Sequence, residues 1–342
     1  MMLEKRLYNP LFLLLALILC VTIIFYVFRK KPERILAYKL HSSNSSYTYP
    51  IHNLPKDDYN RLIDLNFTFK IINYPCNDSN PPLLLVLVHT SPDNHVKRST
   101  IRDTWGKNDN EVKVLFVIGD TNNTSTQNQV LEENLQYGDL IQGDYMDAYR
   151  NMTYKHVMIL KYAIYHCPLA KYILKTDDDV FVHIRGMKHF LSNNLSLLGA
   201  SNVLFCTTRE HTIALRSYRS KWRVTFKEFP DKYYPTYCPG WNLLYSPDVI
   251  FNLYEEAQQA DYFWIDDVHI TGILAKKLNI VHTNIQPLVV SSQNLYYIEK
   301  SYNITQPFLY GPYNLNENTI RTLWKYANTH PTPNYTGWED FN

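Results

Sequence analysis

The chain has 342 residues, 45% of them hydrophobic and 19% charged, against roughly 25% charged in typical soluble chains. That content is enough for a sizeable core and excludes a chain that is disordered throughout. The 34 basic and 32 acidic residues leave a formal net charge of +2, with no general drive toward nucleic acid.

Leu11 to Phe28 is a run of 18 residues without a charge, followed by Arg29, Lys30 and Lys31. At about 1.5 Å per residue such a helix covers roughly 27 Å, enough for a thin bilayer. It is longer than the apolar core of a signal peptide and no small-residue cleavage pattern follows, so the expectation is an uncleaved single-span anchor after a tail of residues 1–10. The flanking basic residues argue for a cytoplasmic C-terminal side. Against that stand nine N-x-[ST] sequons, at Asn44, Asn66, Asn77, Asn122, Asn123, Asn151, Asn194, Asn303 and Asn334. Sequons are acceptors only on the lumenal side, and large domains translocate regardless of flanking charge. The chain therefore reads as a type II membrane protein with its bulk in the lumen. Cys20 lies in the apolar run, and Cys76, Cys167, Cys206 and Cys238 remain. Four thiols in an oxidising space imply one or two disulfides, and spacing leaves three pairings open.

Residues 29–66 are polar and turn-rich and read as a stem; the compact domain is expected over 67–330, with a peripheral tail from 331. Leu83–His89 and Val112–Asp120 are short apolar runs between breakers, the pattern of strands buried on both faces. A helix is expected over Val96–Trp105, a short one over Gln129–Gln136, a third strand over Asp139–Tyr145, and a helix over Thr153–His166. Lys171–Ile184 reads as a strand, an acidic turn and a second extended stretch. Pro247–Ala257 and Val268–Leu278 read as helices. Strands alternating with helices predict an α/β fold with a mostly parallel sheet, whose ligands bind at the carboxyl ends of strands. His89–Thr90 and the acidic turn both fall at such ends.

Asp177, Asp178 and Asp179 sit between apolar flanks. Three adjacent carboxylates there are costly unless paired or bound to a cation. One reading is a solvated acidic loop. The other is a DxD motif in which Asp179 takes Mg²⁺ or Mn²⁺, Asp177 helps to hold a nucleotide sugar, and the ion bridges the diphosphate. A second pair, Asp266 and Asp267, precedes the last of these helices. It serves either as a helix cap or as the base that takes a proton from an attacking hydroxyl.

In chain order, R-S-T-I-R-D-T-W (98–105), F-V-I-G-D (116–120), D-L-I-Q-G-D-Y-M-D-A-Y-R-N-M-T-Y-K (139–155), K-Y-I-L-K-T-D-D-D-V-F-V (171–182), K-W-R-V with Y-Y-P-T-Y-C-P-G (221–240) and I-D-D-V-H-I-T-G (265–272) make up a set of motifs. This set resembles the β1,3-galactosyltransferase and β1,3-N-acetylglucosaminyltransferase family of Golgi enzymes, which includes Fringe-like members. The resemblance implies a GT-A fold, a UDP-galactose or UDP-N-acetylglucosamine donor, a glycan acceptor on glycoprotein or glycolipid, Mn²⁺, and inversion at the anomeric carbon. It implies Asp179 and Asp177 as metal ligands and Asp267 as catalytic base. Asp178, Arg98, Arg102, Lys155 and Thr90 would stand on the donor side, and Gly240, Trp241 and Asp266 would line the substrate. Arg98, Arg102 and Lys155 have ion pairing within the fold as the alternative role. The implied disulfides are Cys76–Cys167 and Cys206–Cys238, and the resemblance leaves room for a homodimer. Three positions depart from the family pattern: His183 where Asn is usual, Asp266 where the family has Glu, and Trp241 in a normally glycine-rich segment. These departures set the alternative reading, an inactive relative that binds glycans in the lumen. His282 is the nearest late histidine to a metal-ligand position, with a structural role as its alternative.

Overall fold

The computed structural model describes residues 38–42, 47–55, 68–335 and 337–338. The expected span at 11–28, the tail at 1–10 and the sequons at Asn44 and Asn66 lie outside them. Among the described residues no helix is long and apolar enough to cross a membrane.

Among the described residues ten strands form, in chain order: β1 (Lys39–Leu40), β2 (Phe69–Ile71), β3 (Leu84–His89), β4 (Val112–Asp120), β5 (Leu140–Met146), β6 (Tyr172–Asp177), β7 (Ala200–Ser201), β8 (Leu204–Cys206), β9 (Asn242–Tyr245) and β10 (Thr283–Asn284). Eight of them make one sheet, ordered β10-β8-β9-β6-β3-β4-β5-β2, in which β6, β3, β4 and β5 run parallel. Antiparallel β9 and β2 extend it on either side. Successive residues of β3 enter opposite apolar layers, Leu84, Val86 and Val88 on one side and Leu85 and Leu87 on the other. Both faces are thus covered, as continuous apolar strands require.

The helices that cover it are α1 (His95–Asp103), α2 (Thr124–Tyr137), α3 (Met152–His166), α4 (Ile184–Asn193) and α5 (Pro247–Ala257). Further along come a π-helical segment (Val268–Leu274), α6 (Ala275–Lys277), α7 (Ser292–Glu299) and α8 (Glu317–Thr329). α2 is longer than expected because Asn123 caps it, accepting from Ser125 N and Thr126 N, and Gly138 ends it at φ 61°. The second extended stretch after the acidic turn is reduced to one bridge, Val182 to Tyr310. His183 instead caps α4, its Nδ1 accepting from Gly186 N at 2.7 Å.

The described parts of the stem and tail are not peripheral. Tyr38, Tyr49 and Leu54 are buried, and β1 pairs with β7. Tyr335 and Trp338 pack edge-on around Phe190 and bury their aromatic area there. Both expected disulfides form, Cys76–Cys167 and Cys206–Cys238.

Candidate active site

β3 and β6 are in register with His89 opposite Asp177, so both chains leave the sheet at the same edge. There a cleft of about 680 Å³ opens, and Asp177, Asp179, Gly240, Trp241, Asp266 and Asp267 all line it. Acidic groups more than eighty residues apart in sequence therefore face one space.

Lys175 ties them together. It is buried in β6, and its Nζ lies 3.0 Å from Asp177 Oδ1 and donates to the carbonyl of Gly240. A buried ammonium is costly without carboxylates beside it. Burial works against its charge, but Asp177, Asp266 and Asp267 hold its pKa above the usual lysine range. A Cβ at Gly240 would stand 2.5 Å from Lys175 Nζ, so a larger residue there would displace the ammonium from its place. The neighbouring carbonyl of Trp241 accepts from Thr176 Oγ1 at 2.8 Å, which fixes the Gly240–Trp241 turn against the end of β6.

Burial pushes the Asp177 carboxyl up to about 6, against the pull of Lys175 and with help from Asp179 and Asp266. Burial also raises Asp179, with Asp178 adding to it and Lys97 opposing. Among the described residues no group of three or more His, Cys, Asp or Glu side chains is placed to hold an ion alone. Asp177 and Asp179 offer at most two hard oxygen donors. That set suits a hard divalent ion that completes its shell with diphosphate oxygens and water.

Asp266 and Asp267 have been driven apart. His156 Nδ1 lies 3.0 Å from Asp266 Oδ2; this hydrogen bond and Lys175 outweigh burial and hold Asp266 below the usual carboxylate range. Burial and then the charge of Asp266 raise Asp267. Adjacent carboxylates with separated proton affinities are the pattern of an acid–base site. Val268 N donates to Asp267 Oδ1 at 2.9 Å. The π-helical turn begins here, a form common at functional sites.

The other wall is an arm over 209–237 built on Arg216, whose guanidinium donates to the carbonyls of Val224, Thr225, Phe229 and Asp231. Tyr149, Trp222, Tyr237 and Trp264 line the cleft with it. Tyr149 is pushed up to about 12, by burial first and then by Asp267.

Five expected donor-side residues are engaged elsewhere and do not line this cleft. Arg98, fully buried, pairs with Glu133 and donates to the carbonyls of Ser91 and Pro92. Arg102 pairs with Glu133 and Asp139 and stacks on Phe116 and Tyr137. Lys155 joins Asp147 at 2.8 Å to the carbonyl of Thr90 at 2.6 Å. Asp178 turns away and accepts from Thr90 Oγ1, Asn94 and Lys97. These contacts fasten α1 and α3 to the sheet. His282 is bound through Nε2 to the carbonyl of Thr271 at 2.6 Å, a structural role. Two residues of the site were not singled out from sequence. Lys175 had a signal, a lysine inside a buried strand that follows the apolar run Tyr172–Leu174; His156 had only its position beside Val157 on a mostly buried helix.

Comparison with known proteins gives a consistent set. The galactosyltransferase family profile matches residues 96–286, more than half of the chain. Beta-1,3-galactosyltransferase 5 of Homo sapiens is 30% identical over 221 residues, which cover 64% of this chain and 69% of the relative. Human lactosylceramide 1,3-N-acetyl-beta-D-glucosaminyltransferase is 31% identical over 261 residues, covering 70% and 68%. Human UDP-GalNAc:beta-1,3-N-acetylgalactosaminyltransferase 1 is 31% identical over 252 residues, covering 70% and 72%. A solved galactosyltransferase with donor and acceptor sugar analogues overlaps at a TM-score of 0.34 and 10% identity, over 74% of this chain and 99% of that one, too slight to bear on the fold. The chain belongs to the galactosyltransferase family of β1,3-glycosyltransferases.

Proposed function

We propose that this chain is an inverting hexosyltransferase of GT-A type that moves galactose or N-acetylglucosamine from a UDP-sugar to a hydroxyl of a glycan acceptor, on glycoprotein or glycolipid, in β1,3 linkage. The setting is the Golgi lumen, with the chain held by residues 11–28 as a single-pass type II protein. The observation that carries this reading is the single cleft lined by both carboxylate pairs, Asp177 with Asp179 and Asp266 with Asp267, around one buried lysine. The names of the relatives add support, since they describe 1,3-transfer of galactose, N-acetylglucosamine or N-acetylgalactosamine.

Asp177 and Asp179 would hold Mn²⁺, which when bound supplies Lewis-acid neutralisation of a departing diphosphate. Lys175 keeps the acidic wall from repelling itself before the donor arrives. Asp267 is the base. Its raised proton affinity brings it toward working pH, where a general base is most effective. Asp267 takes the acceptor hydroxyl proton as the new bond to the anomeric carbon forms. The old bond to the UDP oxygen breaks on the opposite face, and its electron pair leaves with UDP. Inversion follows from that single displacement, as in inverting glycoside hydrolysis with a sugar hydroxyl in place of water. Gly240 and Trp241 form the wall beside the aspartate triplet.

The test is a donor screen by UDP release in the presence of Mn²⁺ against a panel of glycan acceptors. Acceptor-dependent release from UDP-galactose or UDP-N-acetylglucosamine is expected. UDP binding with no transfer to any acceptor would overturn the reading in favour of an inactive glycan-binding relative.

A further inference from the structure

Three elements bring a buried polar chain to the back of the base. His156 comes from the middle of α3, Tyr245 from the end of β9, and Asp266 from the turn before the π-helical segment. The imidazole is fully buried and both of its nitrogens are engaged, Nδ1 with Asp266 Oδ2 at 3.0 Å and Nε2 with Tyr245 Oη at 3.2 Å. The ring of His89 meets it edge-on at 5.9 Å and closes the pocket from β3.

The tautomer follows from the partners. Burial, followed by the charges of Asp266 and Asp267, raises the Tyr245 phenol well above its usual value, so it keeps its proton and donates to Nε2. Burial lowers the imidazole, against the hydrogen bond and charge of Asp266, so the ring is neutral and carries its one proton on Nδ1. His156 therefore donates to Asp266 and holds that carboxylate as an oriented anion. An orienting partner of this kind fixes both geometry and charge state, as second-shell groups do around metal ligands and catalytic imidazoles. The sequence gives the pair a further sense, since Asp266 is one methylene shorter than the family's glutamate and a ring on α3 spans the distance.

We propose that His156 is a positioning residue for sugar transfer: it acts through Asp266, whose fixed negative charge keeps the adjacent Asp267 a strong enough base. This rests on the reading of Asp267 as base. His156 lies behind the cleft wall, so its loss is expected to lower turnover and leave substrate binding alone.

The test uses the full-length protein with His156→Leu, His156→Gln, Asp266→Asn, the double variant His156→Leu/Asp266→Asn, and Asp267→Asn. His156→Leu is expected to lower kcat at least tenfold while KM for the UDP-sugar stays within about twofold. His156→Gln, which keeps an N–H donor toward Asp266, is expected to recover most of the loss. The double variant is expected to match Asp266→Asn alone, because both changes break one link. Wild-type kcat in folded His156→Leu, or independent multiplication of the two losses, would overturn the inference. If His156→Leu does not fold, His156→Phe, which fills the ring's place without an N–H donor, stands in for it: a kcat loss there that His156→Gln recovers at unchanged KM supports the role, and equal kcat in the two variants, or a KM rise with unchanged kcat, refutes it. Asp267→Asn separates the two levels. Full transfer by that variant removes the base assignment itself. An inactive Asp267→Asn beside a fully active His156→Leu removes only the role of His156.

Discussion

Replacing Asp267 by Asn should cut transfer steeply and, at the same time, stabilise the fold. The Asp267 carboxyl is pushed from 3.8 up to about 7, by burial and then by Asp266. At about 1.36 kcal/mol per unit, that rise of roughly three units corresponds to ~4 kcal/mol against the ionised form in the folded chain. The side chain is half-buried in an open cleft, where solvent screens it. Half or less of that figure, about 1–2 kcal/mol, is the expected gain on removing the charge. The sign follows from which state binds the proton more tightly. The folded chain does, so the penalty is full above pH 7 and gone below the unfolded value of 3.8. Thermal unfolding at pH 8 should show Asp267→Asn melting a few degrees above wild type, at roughly 2–4 °C per kcal/mol, with the gain nearly lost at pH 4. Transfer should fall by about 10²–10⁴, the usual contribution of a general base. A variant less stable than wild type by the same margin at both pH values would refute the reasoning, because it would show the carboxylate to be a structural cap.

Lys175→Met should lower transfer at least 100-fold and weaken Mn²⁺-dependent UDP binding, since Asp177 loses its partner at 3.0 Å; unchanged kinetics would refute its place in the site. Arg98→Ala should lose about 2–3 kcal/mol, because the carbonyls of Ser91 and Pro92 lose their donor and Glu133 keeps only Arg102, with KM for the donor unchanged in any folded fraction; a donor KM effect with wild-type stability would return Arg98 to the binding machinery. Joint replacement of Cys206 and Cys238 by Ser opens a bridge across 32 residues that anchors the arm next to Gly240. The expected loss is roughly 3–4 kcal/mol, read as a drop in melting temperature, and an unchanged melting temperature contradicts it.

The parallel half of the sheet was legible because strands buried on both faces write themselves as unbroken apolar runs. Val112–Asp120 and Pro247–Ala257 appear with the bounds expected of them. β8, β9 and β10 have no such mark, being two to four residues long and held by neighbours distant in sequence. α7 and α8 sit in polar, asparagine-rich sequence and are fixed by capping, Ser291 to Asn294 N and Asn316 to Thr319 N, together with one apolar stripe. In the site, the carboxylates stood out because charge clustered between apolar flanks demands a reason. The roles of Arg98, Arg102 and Lys155 were not legible, because a cation in a sequence motif reads the same whether it faces a phosphate or a buried acid. The acids that decide it, Glu133, Asp139 and Asp147, come from other elements. The link from His156 to Asp266 spans 110 positions and exists only in the fold.

The most direct test of the account is a Mn²⁺ titration of UDP-sugar turnover in the wild type and in Asp179→Asn, with UDP binding measured in parallel. Turnover that rises with Mn²⁺ in the wild type and stays flat in the variant, whose fold and melting temperature are otherwise preserved, is the predicted result. Equal turnover by the two proteins at every Mn²⁺ concentration would contradict it.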